Sequence, residues 1–170
     1  MSKIQIVPTI TAQTPTDYAA ELAKLAFVPR LHIDITDGRF APSRTVDLNQ
    51  IYFANDEFAK THDGQTRGID LHLMIEEPTK WLHQIVALAP TRVIFSAEVL
   101  GKDFAKLRDH LAQFDIKFGI ALLSQTSVTS VQKMIKLADY VLIFGGHLGF
   151  QGGMADLKNL AKVQQIRELN

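Results

Sequence analysis

Short apolar runs alternate with longer amphipathic segments along this chain. The runs are nearly continuous in Ile, Val, Leu and Phe, which is typical of parallel strands that are covered on both faces. We therefore expect a sheet whose strands are separated by helices. The predicted strands are Ile4–Val7, Leu31–Ile35, Ile69–Met74, Arg92–Ser96, Lys117–Ala121 and Tyr140–Phe144.

The segments between these strands carry apolar residues at helical spacing. A proline at the first helical position marks helix starts at Thr14-Pro15 and at Glu77-Pro78. A strand–helix repeat of about 25 residues favours right-handed crossovers and a parallel sheet. The remaining predictions are helices at Lys102–Gln113, Ser127–Leu137 and Asp156–Glu168, a segment of moderate helical character at Asp47–Lys60, and a polar connection at Asp56–Gly68.

Six strand–helix units fit in this chain. Six units predict an α/β fold of the TIM type, an incomplete (β/α) barrel with about six of its eight βα units. Residues 1–170 are accordingly expected to form a single barrel domain that lacks the last two βα units. A doubly wound open sheet is the alternative architecture for six units.

Composition and charge exclude several classes of function. Eighteen basic and eighteen acidic residues give a formal net charge of zero, so neither nucleic acid nor a membrane surface is an expected partner. The absence of cysteine excludes disulfides, thiolate metal sites and thiol nucleophiles. Met1 is not followed by an apolar leader, and no run approaches the roughly 20 apolar residues of a membrane span. A cytoplasmic protein is therefore predicted.

Two predicted strands carry candidate metal ligands. Alternation along a strand puts His32 and Asp34 on one face, and in a barrel that face is the interior. Asp37-Gly38 then turns the chain, which places the pair near the carboxyl end of the strand, where barrel active sites lie. His72 on the next strand can face the same space. Two imidazoles and a carboxylate suit a divalent metal such as zinc, iron(II) or manganese. The alternative is a set of hydrogen-bonded core residues.

A glycine-rich loop follows the sixth predicted strand. Five glycines between Gly145 and Gly153 would let backbone N–H groups approach a phosphate closely. The helix predicted to begin at Asp156 would add positive potential. A flexible loop without a ligand is the alternative. Earlier in the chain, Thr9 at the end of the first strand could offer a hydroxyl to a substrate, although such a residue is usually a turn or a cap.

Four segments carry a strong resemblance to one family. They are Ile6–Ile10, His32–Pro42, Asp70–Met74 and Gly149–Gly152, followed by Leu160, Lys162 and Arg167 in the last helix. With these segments the chain closely resembles the ribulose-phosphate 3-epimerase family, barrel isomerases of the pentose phosphate and Calvin pathways. The resemblance covers the whole chain, and its second and third segments together are highly specific.

The resemblance implies particular roles for matching residues. His32, Asp34 and His72 would bind a divalent metal, and Asp34 would also be one of two acid/base residues. Thr9, His72 and Met74 would contact a ketose-phosphate substrate. The loop residues Gly149, Phe150, Gln151 and Gly152 would help to hold its phosphate. The implied reaction is metal-assisted proton transfer at C3, which interconverts D-ribulose 5-phosphate and D-xylulose 5-phosphate; a homo-oligomer is a possible assembly.

Departures from the family pattern keep alternatives open. The family's second catalytic aspartate lies on strand seven, beyond Asn170, and without that acid we expect inversion at C3 to be blocked. Thr36 and Phe144 stand where the family often has methionine, and Ser96 stands where it often has histidine. The alternatives are a non-catalytic relative or fragment that binds phosphosugar or metal, and a hexulose-phosphate 3-epimerase. A decarboxylase on a related barrel is disfavoured because no lysine lies between Asp34 and Asp37.

Overall fold

The computed structural model describes residues 4–52, 66–150, 152 and 154–169. Within these residues a parallel sheet has the strand order β1-β2-β3-β4-β5-β6. Each strand therefore pairs with the strands that precede and follow it in sequence. The strands are β1 (Thr9–Ile10), β2 (Arg30–Thr36), β3 (Gly68–Met74), β4 (Arg92–Ser96), β5 (Lys117–Leu122) and β6 (Tyr140–Ile143).

The sequential strand order decides between the two predicted architectures. A doubly wound sheet reverses its strand order at a switch point, whereas a (β/α) barrel adds each strand beside the previous one. The observed order has no reversal. The TIM-type α/β architecture with six strands is confirmed, and the doubly wound alternative is wrong.

Helices and short 3₁₀ turns connect the strands. The helices are α1 (Pro15–Lys24), α2 (Leu82–Leu88), α3 (Phe104–Ala112), α4 (Gln132–Ile135) and α5 (Leu160–Arg167). Helix α1 begins as predicted, because the Thr14 side chain accepts a hydrogen bond from the Asp17 N–H at 3.1 Å and Pro15 occupies the first helical position. The connections before α2, α4 and α5 end in 3₁₀ turns at Pro78–Trp81, Thr129–Val131 and Leu157–Asn159, directly before the helices.

The first predicted strand is displaced along the chain. Residues Ile4–Val7 are not in a strand, and β1 begins only at Thr9. The register pairs Thr9 with His32, so the segment before Val7 would lie opposite residues 27–29, which precede β2 and end in a proline that has no N–H to donate. Ile4 and Ile6 are 95% and 91% exposed as a result. The apolar run was correctly identified, but it has no partner strand there.

One further prediction is only partly covered by the described residues. The segment Asp47–Lys60 forms a turn at its start, where the Gln50 N–H donates to the Asp47 carbonyl at 3.0 Å, and residues 47–52 contain no helix. Residues 53–60 lie outside the described part of the chain. The predicted connection Asp56–Gly68 lies outside it as far as residue 65, and Gly68 already begins β3.

The core lies on both faces of the sheet, as the continuous apolar strands predict. In β3 every residue from Ile69 to Met74 is buried, and fully buried side chains on the helices include Tyr18, Leu22 and Leu111. Among the described residues no helix is both long and apolar enough to cross a membrane. Because the strands are parallel, their carboxyl ends lie at one edge of the sheet, and the candidate site is found there.

Candidate metal and substrate site

Three polar side chains from β2 and β3 meet on one face of the sheet. His32 and Asp34 are two residues apart on β2, and the register pairs Asp34 with His72 of β3. His32 Nε2 lies 3.1 Å and His72 Nδ1 lies 2.9 Å from the same oxygen, Oδ1 of Asp34. The two imidazole centroids are 5.5 Å apart. The structure therefore brings together the three residues that the sequence predicted as candidate metal ligands.

The surroundings of Asp34 favour its ionised form. Burial, the largest single influence, raises the pKa of this carboxyl group. The hydrogen bonds from His32 and His72 and the attraction of their rings act in the opposite direction and together outweigh burial, so the pKa of Asp34 lies well below its ordinary value. A carboxylate in this state is a competent metal ligand.

The donor set fits a divalent metal ion. The ligand atoms of His32, Asp34 and His72 all lie within 4.8 Å of one another. Two imidazole nitrogens and one carboxylate oxygen are common ligands of borderline divalent cations, which bind them at about 2.0–2.2 Å. His72 also keeps a buried Nε2 that has no hydrogen-bond partner within the described residues. These three residues could therefore hold a metal ion with small side-chain adjustments.

A cavity of about 240 Å³ lies beside this triad, and Asp34 lines it. The Phe144 ring, on another part of the lining, is tilted against His72 with centroids 6.2 Å apart. The Thr11 hydroxyl lies 3.5 Å from Oδ2 of Asp34, the oxygen that the two histidines do not contact. The lining residues are Thr11, Gln13, Asp34, Thr36, Ser43, Arg44, Thr45, Met74, Phe144, Gly149 and Phe150. The cavity thus combines hydroxyl, charged and apolar groups next to a candidate acid/base.

The loop after β2 is held in a fixed shape by Asp37. Its Oδ1 accepts from the N–H groups of Arg39 and Phe40 at 2.9 and 3.0 Å, and its Oδ2 accepts from the Glu76 N–H at 2.8 Å. Burial raises the pKa of Asp37, but these hydrogen bonds outweigh it and lower the pKa overall. An isolated antiparallel bridge also joins Asp37 to Arg44. The last residues of the loop therefore lie next to the end of β2.

The glycine-rich loop after β6 packs against the loop after β2. Gly149 has a φ of +81°, and a Cβ atom at this position would lie 2.7 Å from Cδ of Pro42. Only glycine satisfies both the left-handed backbone and this close approach. At the base of the loop, the Asp156 N–H donates to the Gly145 carbonyl at 3.0 Å. The two loops together form the mouth of the cavity.

Several residues predicted to contact substrate lie in this mouth. Met74, Gly149 and Phe150 line the cavity, and the Phe150 side chain is 68% exposed. Gly152 has a φ of +72° and is exposed, and it is not among the lining residues of the described part of the chain. Gln151 lies outside the described residues. The substrate-binding roles of these residues remain predictions.

Thr9 is not among the residues that line the cavity, whereas its neighbour Thr11 is, and the substrate contact of Thr9 stays a prediction. Thr9 is exposed and pairs with His32 in the ladder, whereas Thr11, on the same face of the chain, lines the cavity. Alternation from Thr9 could have identified Thr11. Ser43 and Thr45 had no comparable signal, because a loop returns them to the site and no periodicity marks them.

The chain matches one family along nearly its whole length. The model described as the Ribulose-phosphate 3 epimerase family matches residues 5–170. The chain is 27% identical over 164 residues to the ribulose-phosphate 3-epimerase of Mycobacterium tuberculosis strain H37Rv, a match that covers 96% of this chain and 68% of that protein. The match to the ribulose-phosphate 3-epimerase of Encephalitozoon cuniculi is 29% over 143 residues and covers 82% of this chain.

These relatives are longer than the chain. The match to the ribulose-phosphate 3-epimerase of Chlamydia muridarum, at 24% identity over 138 residues, covers 81% of this chain and 57% of that protein. The corresponding share of the Encephalitozoon cuniculi protein is 60%. The chain therefore spans a little over half to two thirds of the length of the curated relatives it matches.

Proposed function

The chain belongs to the ribulose-phosphate 3-epimerase family, and from this premise we propose that it carries out metal-assisted proton transfer at C3 of a ketose phosphate. The relatives are named ribulose-phosphate 3-epimerases, and the proposed substrates are D-ribulose 5-phosphate and its C3 epimer, D-xylulose 5-phosphate. The observation that carries the proposal is the convergence of His32 and His72 on one oxygen of Asp34 at the edge of a cavity.

In this proposal Asp34 is the base that takes the C3 proton. A base must be ionised and must reach the substrate. An aspartate with its ordinary pKa of 3.8 is ionised at neutral pH, so Asp34 meets the first requirement, and it lines the cavity through which a substrate would arrive. Among the described residues that line the cavity, it is the one acidic side chain. Inversion also needs an acid on the opposite face of C3, since the proton must return from that side.

His32, Asp34 and His72 are the proposed ligands of zinc, iron(II) or manganese(II). A divalent ion held there would stabilise, as a Lewis acid, the negative charge that develops on the substrate oxygens. In this structure both imidazoles contact Oδ1 of Asp34 and not Oδ2, which is the oxygen proposed to take the proton. Both imidazoles are mostly buried, with side chains 14% and 2% exposed, so their orientation is restricted.

The glycine-rich loop is the proposed phosphate site. Gly149 and Phe150 line the same cavity as Asp34, and a backbone without side chains can approach an anion closely. The contact of Gly149 with Pro42 supports a fixed position for this loop. We also propose, from family membership, that the protein acts in the pentose phosphate pathway of the cytoplasm.

The proposal is tested by adding D-ribulose 5-phosphate to the purified chain with zinc, iron(II) or manganese(II). Proton NMR would follow the C3–H signal and the formation of D-xylulose 5-phosphate. We expect a loss of the C3–H signal in deuterated water that requires one of these metals and stops on chelation. His72→Gln should lower the rate by at least 10-fold, because loss of a ligand weakens metal affinity.

His83 provides the matched control, since it is an exposed histidine on α2. His83→Gln should retain the rate of the unaltered chain. Equal rates for His72→Gln and the unaltered chain would refute the metal-ligand assignment. Tight binding of metal and sugar phosphate with no change at C3 would instead support the non-catalytic alternative.

A further inference from the structure

A pair of hydroxyl groups lies at the end of β2, next to the candidate base. Ser43 Oγ donates to Thr36 Oγ1 at 3.2 Å, and both residues line the cavity that Asp34 also lines. Thr36 is 3% exposed. A buried hydroxyl is normally hydrogen-bonded as donor as well as acceptor, because unmet hydrogen bonds are costly away from water.

Within the described residues the Thr36 hydroxyl accepts a hydrogen bond but donates none. It accepts from Ser43, and no hydrogen bond from Thr36 Oγ1 to an acceptor exists within the described residues. The neighbouring Thr45 differs, because its hydroxyl accepts from the Thr36 N–H at 3.0 Å and donates to the Val46 carbonyl at 3.0 Å. Thr45 therefore holds the loop, whereas Thr36 retains a donor beside the cavity.

The backbone around Thr36 is fixed on both sides. The Thr45 N–H donates to the Thr36 carbonyl at 3.2 Å, and the Thr36 N–H donates back to the Thr45 side chain. Thr36 also lies two residues after Asp34 on the same face of β2, a distance of roughly 7 Å along the strand. A hydrogen bond donated by a hydroxyl group has an oxygen–oxygen distance of about 2.7–2.8 Å, which is shorter than this separation. A substrate atom close to the carbon that Asp34 deprotonates would thus lie within reach of Thr36.

We infer that Thr36 is a specificity-determining residue that donates a hydrogen bond to a hydroxyl oxygen of the substrate, on C1 or C4, next to the reacting C2–C3 unit. The inference rests on the proposed function for the identity of the substrate. Ser43 supports the donor, because the hydrogen bond that it gives to Thr36 polarises the Thr36 O–H group. The proposed ligand is a linear polyhydroxy ketose phosphate. A hydrogen-bond donor at this position recognises the carbon chain of that ligand rather than its phosphate.

The experiment pairs a change in the protein with a change in the substrate. The rate of C3 proton exchange is measured for the unaltered chain and for Thr36→Val, with D-ribulose 5-phosphate and with its 1-deoxy and 4-deoxy analogues. Thr36→Val should lower kcat/KM about 3- to 10-fold with the parent substrate, the size of one neutral hydrogen bond. With the analogue that lacks the partner hydroxyl, the unaltered chain and Thr36→Val should be equal.

Two further variants separate recognition from folding. Thr36→Ser keeps the hydroxyl and should restore most of kcat/KM, which a purely structural role of the threonine methyl group would not allow. Thr16→Val, at an exposed threonine of α1, should leave the rate unchanged. Equal kcat/KM for Thr36→Val and the unaltered chain, or an equal loss with all three substrates, would overturn the inference.

The failure of the proposed function would be recognised separately. If the unaltered chain exchanges no C3 proton with any metal, the proposed function fails, and calorimetric binding of D-ribulose 5-phosphate then tests the inference. A dissociation constant about 3- to 10-fold weaker for Thr36→Val would support it. Equal dissociation constants would overturn it.

Discussion

A buried charged cluster lies at the amino-terminal ends of the strands. Asp70 of β3 is 3% exposed and lies between Arg30 of β2 and Arg92 of β4. Arg30 Nε lies 3.0 and 2.9 Å from the two oxygens of Asp70, and Arg92 Nε lies 3.1 Å from one of them. The guanidinium of Arg92 also lies 4.3 Å from the ring centroid of Tyr140.

We predict that Asp70→Asn destabilises the protein by about 3 kcal/mol. Removal of one partner from a buried ion pair costs about 3–5 kcal/mol, because the remaining charge stays buried without compensation. Here two guanidinium groups would remain beside each other, but their side chains are 18% and 21% exposed, so water screens part of the repulsion. The lower end of the range therefore applies. For a chain of this size the melting temperature should fall by about 6–12 °C.

The assay is urea and thermal unfolding followed by far-ultraviolet circular dichroism. Glu76→Gln is the matched control, because the Arg39–Glu76 pair has a nitrogen–oxygen distance of 3.6 Å and side chains that are 71% and 56% exposed. An exposed pair of this kind contributes about 0–1 kcal/mol, so this control should unfold close to the unaltered chain. A loss below about 1 kcal/mol for Asp70→Asn would refute the reasoning that the cluster is desolvated.

Two more predictions concern the loops at the mouth of the cavity. Gly149→Ala should weaken binding of D-ribulose 5-phosphate in calorimetry by about 10-fold or more, because the left-handed backbone and the contact with Pro42 both resist a Cβ atom. Gly101→Ala, outside the glycine-rich loop and with no atom within 4 Å of its Cβ, should bind normally, and equal binding by both variants would contradict this. Asp37→Ala should lower the free energy of unfolding by about 2 kcal/mol at pH 7, because three backbone N–H groups lose their acceptor. The pKa of Asp37 is lower in the folded chain, so the stabilisation by its carboxylate is present above the ordinary pKa of 3.8 and is lost as the pH falls through the folded pKa. Urea unfolding at pH 3 or below should therefore show a smaller difference in stability between Asp37→Ala and the unaltered chain. A difference that grows on acidification would contradict this pH dependence.

The strands could be predicted from sequence because their apolar runs are nearly continuous, and the candidate metal ligands on β2 because side chains alternate between the two faces of a strand. Continuous apolar runs identified β2 to β6 to within about two residues, the usual uncertainty of element ends. The same alternation put His32 and Asp34 on one face. The predicted strand Ile4–Val7 was wrong because strand formation also needs a partner, and the partner of that segment is the turn before β2.

The loop residues of the site could not be predicted in the same way. Ser43 and Thr45 reach the cavity because the chain turns back after Asp37 and hydrogen-bonds to the end of β2. This return depends on contacts between residues that are distant in sequence, such as the Asp37 carboxylate and the Glu76 N–H. No local pattern of hydrophobic and polar positions records such a contact.

The most direct test of the central claim is deuterium entry at C3 of D-ribulose 5-phosphate in deuterated water, measured by NMR for the metal-loaded chain and for Asp34→Asn. The account predicts metal-dependent deuterium entry in the unaltered chain and a loss of at least 100-fold in Asp34→Asn, the usual contribution of a general base. The absence of exchange with every metal, or an equal rate in Asp34→Asn, would contradict the assignment of Asp34 as the base of this site.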